Sequence, residues 1–207
     1  MNTDEIKEKM PLNRQPREEA GLAMNPTCPF VIYIDTAEQH PFPFTGIRAD
    51  ADKESGVYNV NIEKRCLGRH PNSLGDYSIA GGIGRCHVER KSMADIQTTL
   101  LGFTDGHRDR FESEMENLSK IESALLVIEC SKDDFLKHAP EYGKRTSAAN
   151  AKILYRSIIA IAQDYRVQVE WSGSRRMAEI DTFRWMYRFW EKKLKPEHKA
   201  MKLLESI

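Results

Sequence analysis

A glycine-rich turn between two short alternating segments constrains this chain more than any other feature. It lies within Gly75–Asp95, which reads GDYSIAGGIGRCHVERKSMAD. Gly82 followed by Ile83 suits a type II′ turn, in which glycine occupies the first central position of a two-residue hairpin loop. A hairpin that turns there pairs Asp76 with Glu89. The sequence therefore predicts two carboxylates directly opposite one another on adjacent strands.

Period-two alternation sorts the side chains of this hairpin onto two faces. One face is typical of a core and the other is polar, with Tyr77, Ile79, Cys86 and Val88 on the first and Asp76, Ser78, His87, Glu89 and Lys91 on the second. Like charges directly opposite each other destabilise a sheet by about 0.2–1 kcal/mol or more. A divalent cation offsets this repulsion, because Mg²⁺ binds through one or two carboxylates and keeps several waters.

Lys91 lies one pleat beyond Glu89 on the polar face, where its ammonium could reach a substrate oxygen or a metal-bound water. Two acids and a lysine at a strand end suit phosphodiester hydrolysis. In that reaction a metal polarises the phosphate and generates hydroxide, while lysine stabilises the developing charge. The alternative is a solvated hairpin face, on which Lys91 forms a salt bridge with Glu89 or Asp76. The pattern alone leaves both interpretations open.

The residues around the hairpin resemble the signature of the XPF-type nuclease domain. In that signature Gly-Asp is followed by a short excursion and then by Glu-Arg-Lys, three residues and Asp. Five positions match residue by residue, namely Asp76, Glu89, Arg90, Lys91 and Asp95. The match is also an instance of the Asp…Glu-x-Lys arrangement of restriction-endonuclease-like folds. The resemblance implies a metal-dependent DNA endonuclease, with branched or flapped DNA as a candidate substrate.

The resemblance also implies roles for the matched residues. Asp76 and Glu89 would hold Mg²⁺ or Mn²⁺, and Lys91 would stabilise the developing oxyanion or position the nucleophile. Arg90 and Asp95 would be accessory. Alternation turns Arg90 to the other face, which favours a structural ion pair, and the spacing of Asp95 from the preceding serine is equally typical of a helix cap.

Two functional alternatives remain beside the endonuclease. The first is a catalytically silent DNA-binding or scaffold subunit, since XPF-type families contain inactive partners; retention of every motif acid and of Lys91 argues against it. The second is an exonuclease of the same fold that acts on DNA ends. The sequence does not separate exonuclease from endonuclease.

A further acidic pair follows the apolar run Phe30–Asp35, which predicts a buried strand. The family places Asp-x-Arg-Glu after its first strand, so Asp35 and Glu38 match while Ala37 replaces the arginine. The resemblance implies that both acids are metal ligands beside the hairpin acids. The residues alone are also consistent with two carboxylates that cap a loop.

Strands that alternate with helices predict an α/β domain with a mixed central sheet flanked by helices, and the resemblance implies a restriction-endonuclease-like core. We expect a mobile N-terminal arm over residues 1–27, the nuclease domain over 28–194 and a tail over 195–207. The other predicted elements are a strand at Val57–Cys66 paired with Asp76–Ala80, strands at Ser123–Glu129 and Val167–Trp171, a helix at Ser147–Gln163 and a last helix that ends at Lys193.

DNA contacts must come from local clusters, because the formal net charge of the 207-residue chain is zero. Arg108 and Arg110 lie in the first turns of a predicted helix, where cations are disfavoured unless a phosphate binds. Arg175 and Arg176 open the last helix. For all four arginines the alternative is an ordinary solvated face with surface ion pairs.

Composition also bounds the class of protein. Four widely spaced cysteines without a CxxC pair argue against a zinc finger or a disulfide framework, and they indicate reduced thiols. No apolar stretch approaches the ~20 residues of a membrane helix, so we expect a soluble intracellular protein. Family members dimerise through their C-terminal parts, and the stripe Phe183, Tyr187 and Trp190 could serve a homodimer or heterodimer. Such stripes are more often core or a dimer contact than a platform on which bases stack.

Overall fold

The apolar runs of the sequence form the central strands of one sheet. The computed structural model describes residues 25–49, 56–69, 71–102, 106–141 and 144–206, so most of the predicted N-terminal arm lies outside the described residues. The strands are β1 (Thr27–Asp35), β2 (Asn59–Arg65), β3 (Tyr77–Ile79), β4 (Cys86–Lys91), β5 (Ser123–Ile128) and β6 (Gln168–Trp171). The helices are α1 (Met93–Leu101), α2 (His107–Leu118), α3 (Lys132–Lys137), α4 (Ser147–Asp164), α5 (Arg175–Phe189) and α6 (Lys195–Glu205).

The sheet is mixed, as predicted, and its strand order is β2-β1-β3-β4-β5-β6. The pairs β1–β2, β4–β5 and β5–β6 are parallel, while β1–β3 and β3–β4 are antiparallel. The prediction that the Val57–Cys66 segment pairs with Asp76–Ala80 is wrong, because β2 pairs with β1 instead. All three residues of β3 are buried, whereas the side chains of β2 are mostly exposed. The exposed strand therefore takes the edge of the sheet, and β3 lies between two partners.

The hairpin has the predicted register and a different turn. Tyr77 lies opposite Val88, and by the same register Asp76 faces Glu89. The connection is a six-residue turn over 80–85, and the positive φ angles belong to its neighbouring glycines and not to Gly82. A type II′ turn at Gly82 is therefore wrong. Glycine is required there for space, since a Cβ would lie 2.8 Å from Ile79 Cγ1.

Helices cover both faces of the sheet. Along β5, Leu125 and Val127 pack on the side of α5, whereas Leu126 and Ile128 pack on the side of α1 to α4. This alternation is what a central strand between two helical layers requires. The polar face of the hairpin lies on the side of α1 and α2. The layers therefore leave the predicted acids at the end of the sheet, beside the first turns of these two helices.

The aromatic stripe of the last helix packs inside the protein. Phe183 is buried, and its ring lies 5.8 Å from that of Phe30 and 5.6 Å from that of Tyr58. Tyr187 and Trp190 pack against the same core cluster. The core interpretation of this stripe is therefore confirmed.

The prediction that the last helix ends at Lys193 is wrong. A π-helix, Trp190–Leu194, continues α5 into α6. The wider π turn ends at Leu194, two residues before Pro196, whose ring and missing N–H would disrupt a regular α-helix. On α6, three large apolar side chains are exposed: Met201, Leu203 and Leu204. Among the helices that the structure describes, none is long and apolar enough to cross a membrane.

Candidate active site

A cleft of about 780 Å³ opens where β3 begins and β4 ends, beside the first turns of α1 and α2. The structure brings all the predicted acids and the predicted lysine to the walls of this cleft: Asp35, Glu38, Asp76, Glu89, Lys91 and Asp95. Strands β3 and β4 deliver the motif residues because alternation turns them to the α1 and α2 side. The loop after β1 delivers the other two acids.

Lys91 and Glu89 form an ion pair inside the cleft. Lys91 Nζ contacts Glu89 Oε1, and the two side chains are 22% and 2% exposed. Lys91 Nζ also lies 3.9 Å from Glu114 Oε2 of α2. The predicted salt bridge is therefore present, but in a cleft and not on a solvated face.

The acids outnumber the cations at this point of the cleft, and this excess of negative charge shifts the pKa values of the clustered groups. Loss of solvent raises the pKa of Asp76 to about 7, and the Glu38 and Glu114 carboxylates push it the same way against Lys91. Burial and the neighbouring Asp76 raise the pKa of Glu89 well above its ordinary value. Burial opposes the charge of Lys91, but the surrounding carboxylates outweigh it and raise the lysine pKa. The cluster therefore favours an added positive charge.

Asp76 and Glu89 fit a hard divalent cation. Glu89 Oε2 is buried and accepts no hydrogen bond from the residues that the structure describes, while Asp76 Oδ2 accepts one from the backbone N–H of Arg90 at 2.9 Å. Carboxylate oxygens are the protein ligands that Mg²⁺ takes, one or two at a time with waters. Within the described ranges, no three His, Cys, Asp or Glu side chains are already arranged to hold a metal ion. The fit therefore rests on two carboxylates.

The second acidic pair is bound to the backbone around it. Asp35 Oδ1 accepts the N–H of Ala37 at 2.7 Å, and its Oδ2 accepts that of Leu67 at 2.6 Å. Glu38 Oε1 accepts the N–H of His40 at 2.5 Å. Both residues line the cleft and both also cap loops. Their part in metal binding stays a prediction. Through its hydrogen bond with Leu67, Asp35 also holds the loop that follows β2.

The two accessory residues have structural partners. Arg90 Nε pairs with Glu129 Oε1 at 3.0 Å, and both side chains are about one-tenth exposed. This is the ion pair on the opposite face that alternation predicts. The backbone N–H of Asp95 donates to Ser92 Oγ at 3.2 Å, and Ser92 Oγ donates to Asp95 Oδ2 at 2.7 Å. Ser92 is therefore the N-cap of α1, and Asp95 completes this cap while it lines the cleft.

The four predicted DNA-binding arginines lie in different places. Arg110 lines the cleft. Arg108 pairs with Glu112 at 2.8 Å and lines a second cavity of about 290 Å³ between α2 and α4. Arg175 and Arg176 donate to carbonyl oxygens of the loop at 40–46. Of the four, Arg110 alone lines the cleft.

The cleft residues that the sequence interpretation missed include Arg69, Glu114 and Cys66. Glu114 falls on the apolar stripe of α2, between Phe111 and Leu118, and a carboxylate on such a stripe was the available signal. Arg69 lies in a loop fixed at both sides, by Asp35 at Leu67 and by Asn117, whose Nδ2 donates to Pro71 O at 2.5 Å. Nothing in the local pattern placed that loop in the cleft.

The thiols agree with the sequence interpretation. All four cysteines are free, and Cys66 is exposed whereas Cys28, Cys86 and Cys130 are buried.

Comparisons with known proteins agree with this architecture. The ERCC4 domain model matches residues 55–189. XPF from Aeropyrum pernix has a similar fold, with a TM-score of 0.51, 17% identity, and coverage of 87% of this chain and 73% of that one. Its complex with DNA gives a TM-score of 0.51, 16% identity, and coverage of 82% and 68%. No curated protein is significantly similar in sequence.

Proposed function

The chain belongs to the ERCC4 domain family, and we propose that it is a Mg²⁺- or Mn²⁺-dependent endonuclease that hydrolyses DNA phosphodiester bonds. The convergence of Asp76, Glu89 and Lys91 in one cleft carries this proposal. A family of DNA nucleases supports DNA as the substrate, as does the fold likeness to an XPF that has been seen with DNA. Such a substrate fits an intracellular site of action.

Asp76 and Glu89 would hold the metal ion, together with the carbonyl of Arg90 and with Glu38 or Asp35. Bound there, the ion would supply a Lewis acid for the phosphate and a water of lowered pKa. Lys91 holds a proton at Nζ, because the acids around it stabilise its charge. From the end of β4 it would stabilise the negative charge that develops on the phosphate oxygens.

Phosphate contacts would position the DNA. Arg110 and Arg69 line the cleft from α2 and from the loop after β2, and both are exposed. Phosphate contacts of this kind carry little sequence information and weaken as salt rises. We therefore propose substrate recognition by shape, with branched or flapped DNA as the first class to test.

We also propose that two copies associate through α6. The three apolar side chains that α6 leaves exposed would then be covered. A Leu204→Glu variant should remain monomeric under conditions in which the wild type dimerises, as measured by light scattering after gel filtration. A monomeric wild type would contradict this part of the proposal.

The decisive experiment incubates the protein with labelled flap, forked, Holliday-junction, linear and circular DNA, with and without Mn²⁺. We expect Mn²⁺-dependent cuts that Asp76→Asn and Lys91→Ala abolish, while the surface variant Lys120→Ala cuts as the wild type does. Cleavage that survives both substitutions would show that the assigned site is wrong. DNA binding without cleavage of any substrate would support a scaffold subunit, and stepwise shortening from DNA ends in place of discrete internal cuts would support an exonuclease.

A further inference from the structure

Arg175, the first residue of α5, connects the loop after β1 to the interior of the sheet. Its Nη2 donates to the carbonyl oxygens of His40 at 2.6 Å and Pro41 at 3.1 Å. Its Nη1 donates to Glu129 Oε1 at 2.6 Å. The same Glu129 oxygen accepts from Arg90 Nε at 3.0 Å. One guanidinium thus joins this loop to β4.

The loop that Arg175 holds carries Glu38 into the cleft. The backbone N–H of His40 donates to Glu38 Oε1 at 2.5 Å, so the anchored carbonyl and the carboxylate lie in the same turn. Two residues further, the N–H of Phe42 donates to Tyr77 Oη at 3.0 Å. The Phe42 and Tyr77 rings are stacked with their centroids 5.2 Å apart. Movement of this loop would therefore move Glu38.

The contacts of Phe42 connect the loop to both motif strands. The guanidinium carbons of Arg175 and Arg90 lie 5.0 Å and 5.8 Å from the centroid of its ring, within reach of a cation–π interaction. Tyr77 directly follows the first motif acid, and Arg90 directly follows the second. The residues that alternate with the motif acids thus hold the Glu38 loop from the other face of the sheet.

We infer that Arg175 is a positioning residue that sets the Glu38 carboxylate against Asp76 and Glu89 across the cleft. The inference rests on the proposed function, since it gives Glu38 a share in holding the metal ion. It also replaces the interpretation of Arg175 as a DNA contact, because three protein oxygens already accept from its guanidinium.

Arg176 provides a matched control. Its side chain is 46% exposed, against 43% for Arg175, and it also donates to loop carbonyls, at Thr45 and Gly46. It pairs with Glu179 and not with Glu129. Comparison of Arg175→Gln with Arg176→Gln therefore separates the connection to β4 from general anchoring of the loop. Arg175→Lys keeps the charge with fewer donors, and it serves if the glutamine variant does not fold.

Three quantities would be measured for each variant. They are the dissociation constant of Mn²⁺ without DNA, by electron paramagnetic resonance of the free ion; the Mn²⁺ concentration for half-maximal cleavage; and the dissociation constant of DNA in EDTA. Arg175→Gln should raise the first two about tenfold, as loss of a group that orients a metal ligand does, and leave the third unchanged. Saturating Mn²⁺ should restore most of the cleavage rate. Arg175→Lys should give Mn²⁺ constants between those of Arg175→Gln and the wild type, and Arg176→Gln should leave the Mn²⁺ dissociation constant unchanged.

A weaker DNA complex with unchanged Mn²⁺ constants would overturn the inference and make Arg175 a phosphate contact. Unchanged values throughout, in an active wild type, would overturn the inference alone. A wild type that neither binds Mn²⁺ nor cuts DNA would remove the proposed function, and the inference with it.

Discussion

Lys91 Nζ of β4 lies 3.9 Å from Glu114 Oε2 of α2, so a helix outside the motif supplies an acid to the motif lysine. Replacing Lys91 by methionine leaves Glu89 and Glu114 without their cation. We expect the free energy of unfolding of the metal-free variant to be about 3–5 kcal/mol lower than that of the wild type, which is the usual cost of removing one partner of a buried ion pair. Urea unfolding in EDTA at pH 8 measures it.

Two controls accompany this prediction. Adding Glu114→Gln to Lys91→Met should return part of the lost stability, since one uncompensated charge disappears. Lys120→Met breaks an exposed pair with Glu116 and should cost less than about 1 kcal/mol. If Lys91→Met is as stable as Lys120→Met, then Lys91 does not stabilise the buried acids, and the prediction is wrong.

Asp76→Asn should stabilise the metal-free protein while it abolishes cleavage. The pKa of Asp76 is raised from 3.8 to about 7, so the folded state binds its proton more tightly than the unfolded state. Stability from this group is therefore present at low pH and is lost as pH rises from about 4 to 7. Asparagine does not ionise, so the variant avoids that loss. Its free energy of unfolding should exceed that of the wild type by about 1–3 kcal/mol at pH 8 and by less at pH 5. Urea unfolding in EDTA at the two pH values measures the gain, and equal stability at pH 8 would contradict the prediction.

His87 should have the opposite pH dependence. It is buried, its Nε2 accepts the N–H of Gly84 at 2.9 Å, and burial lowers its pKa to about 4. The unfolded chain binds the histidine proton first, so this contribution to stability is present above about pH 6.5 and is lost as pH falls towards 4. Between pH 7 and pH 5 the free energy of unfolding of the wild type should fall by about 2 kcal/mol more than that of His87→Gln. Urea unfolding at the two pH values measures both changes, and an equal fall in the free energy of unfolding of the two proteins would contradict the prediction.

Gly75→Ala should damage the site more than Gly84→Ala. Both glycines have positive φ, at 90° and 76°, so each alanine incurs about 1–2 kcal/mol of backbone strain. At Gly75 a Cβ would also lie 3.0 Å from Val88 O and 3.2 Å from the backbone nitrogen of Glu89, whereas at Gly84 it would meet no atom of the described part of the chain within 4 Å. We expect the first variant alone to lose cleavage as well as stability. Equal cleavage rates in the two variants would contradict this.

Salt dependence should separate the arginines. Arg110 and Arg69 line the cleft, whereas Arg108 pairs with Glu112 outside it. Each of Arg110→Gln and Arg69→Gln should reduce the slope of log K against log salt by about 0.7–0.9, the value of one phosphate contact. Fluorescence anisotropy in EDTA measures the slope. An effect of Arg108→Gln as large as that of Arg110→Gln would contradict this arrangement.

The sequence predicted those features that depend on local alternation and on the motif. The register of the hairpin, its two faces and the strand at Phe30–Asp35 are of this kind, and so is the outward turn of Arg90. It did not predict the partner of β2, because an alternating segment does not specify which strand it will pair with. Glu114 was missed as a cleft group, and Arg175 as a donor to the loop after β1, for a similar reason. Their partners lie far away along the chain, and only the packing of α2 and α5 onto the sheet brings them together.

The cleft contains a chemical handle. Cys66 is exposed on its wall, while burial raises the pKa of Cys86 to about 12 and that of Cys130 to about 11, and Cys28 is buried as well. Because the thiolate is the reactive form, a maleimide dye should couple at one place without any cysteine being removed. Its emission would then report the arrival and departure of a nucleic acid strand in real time.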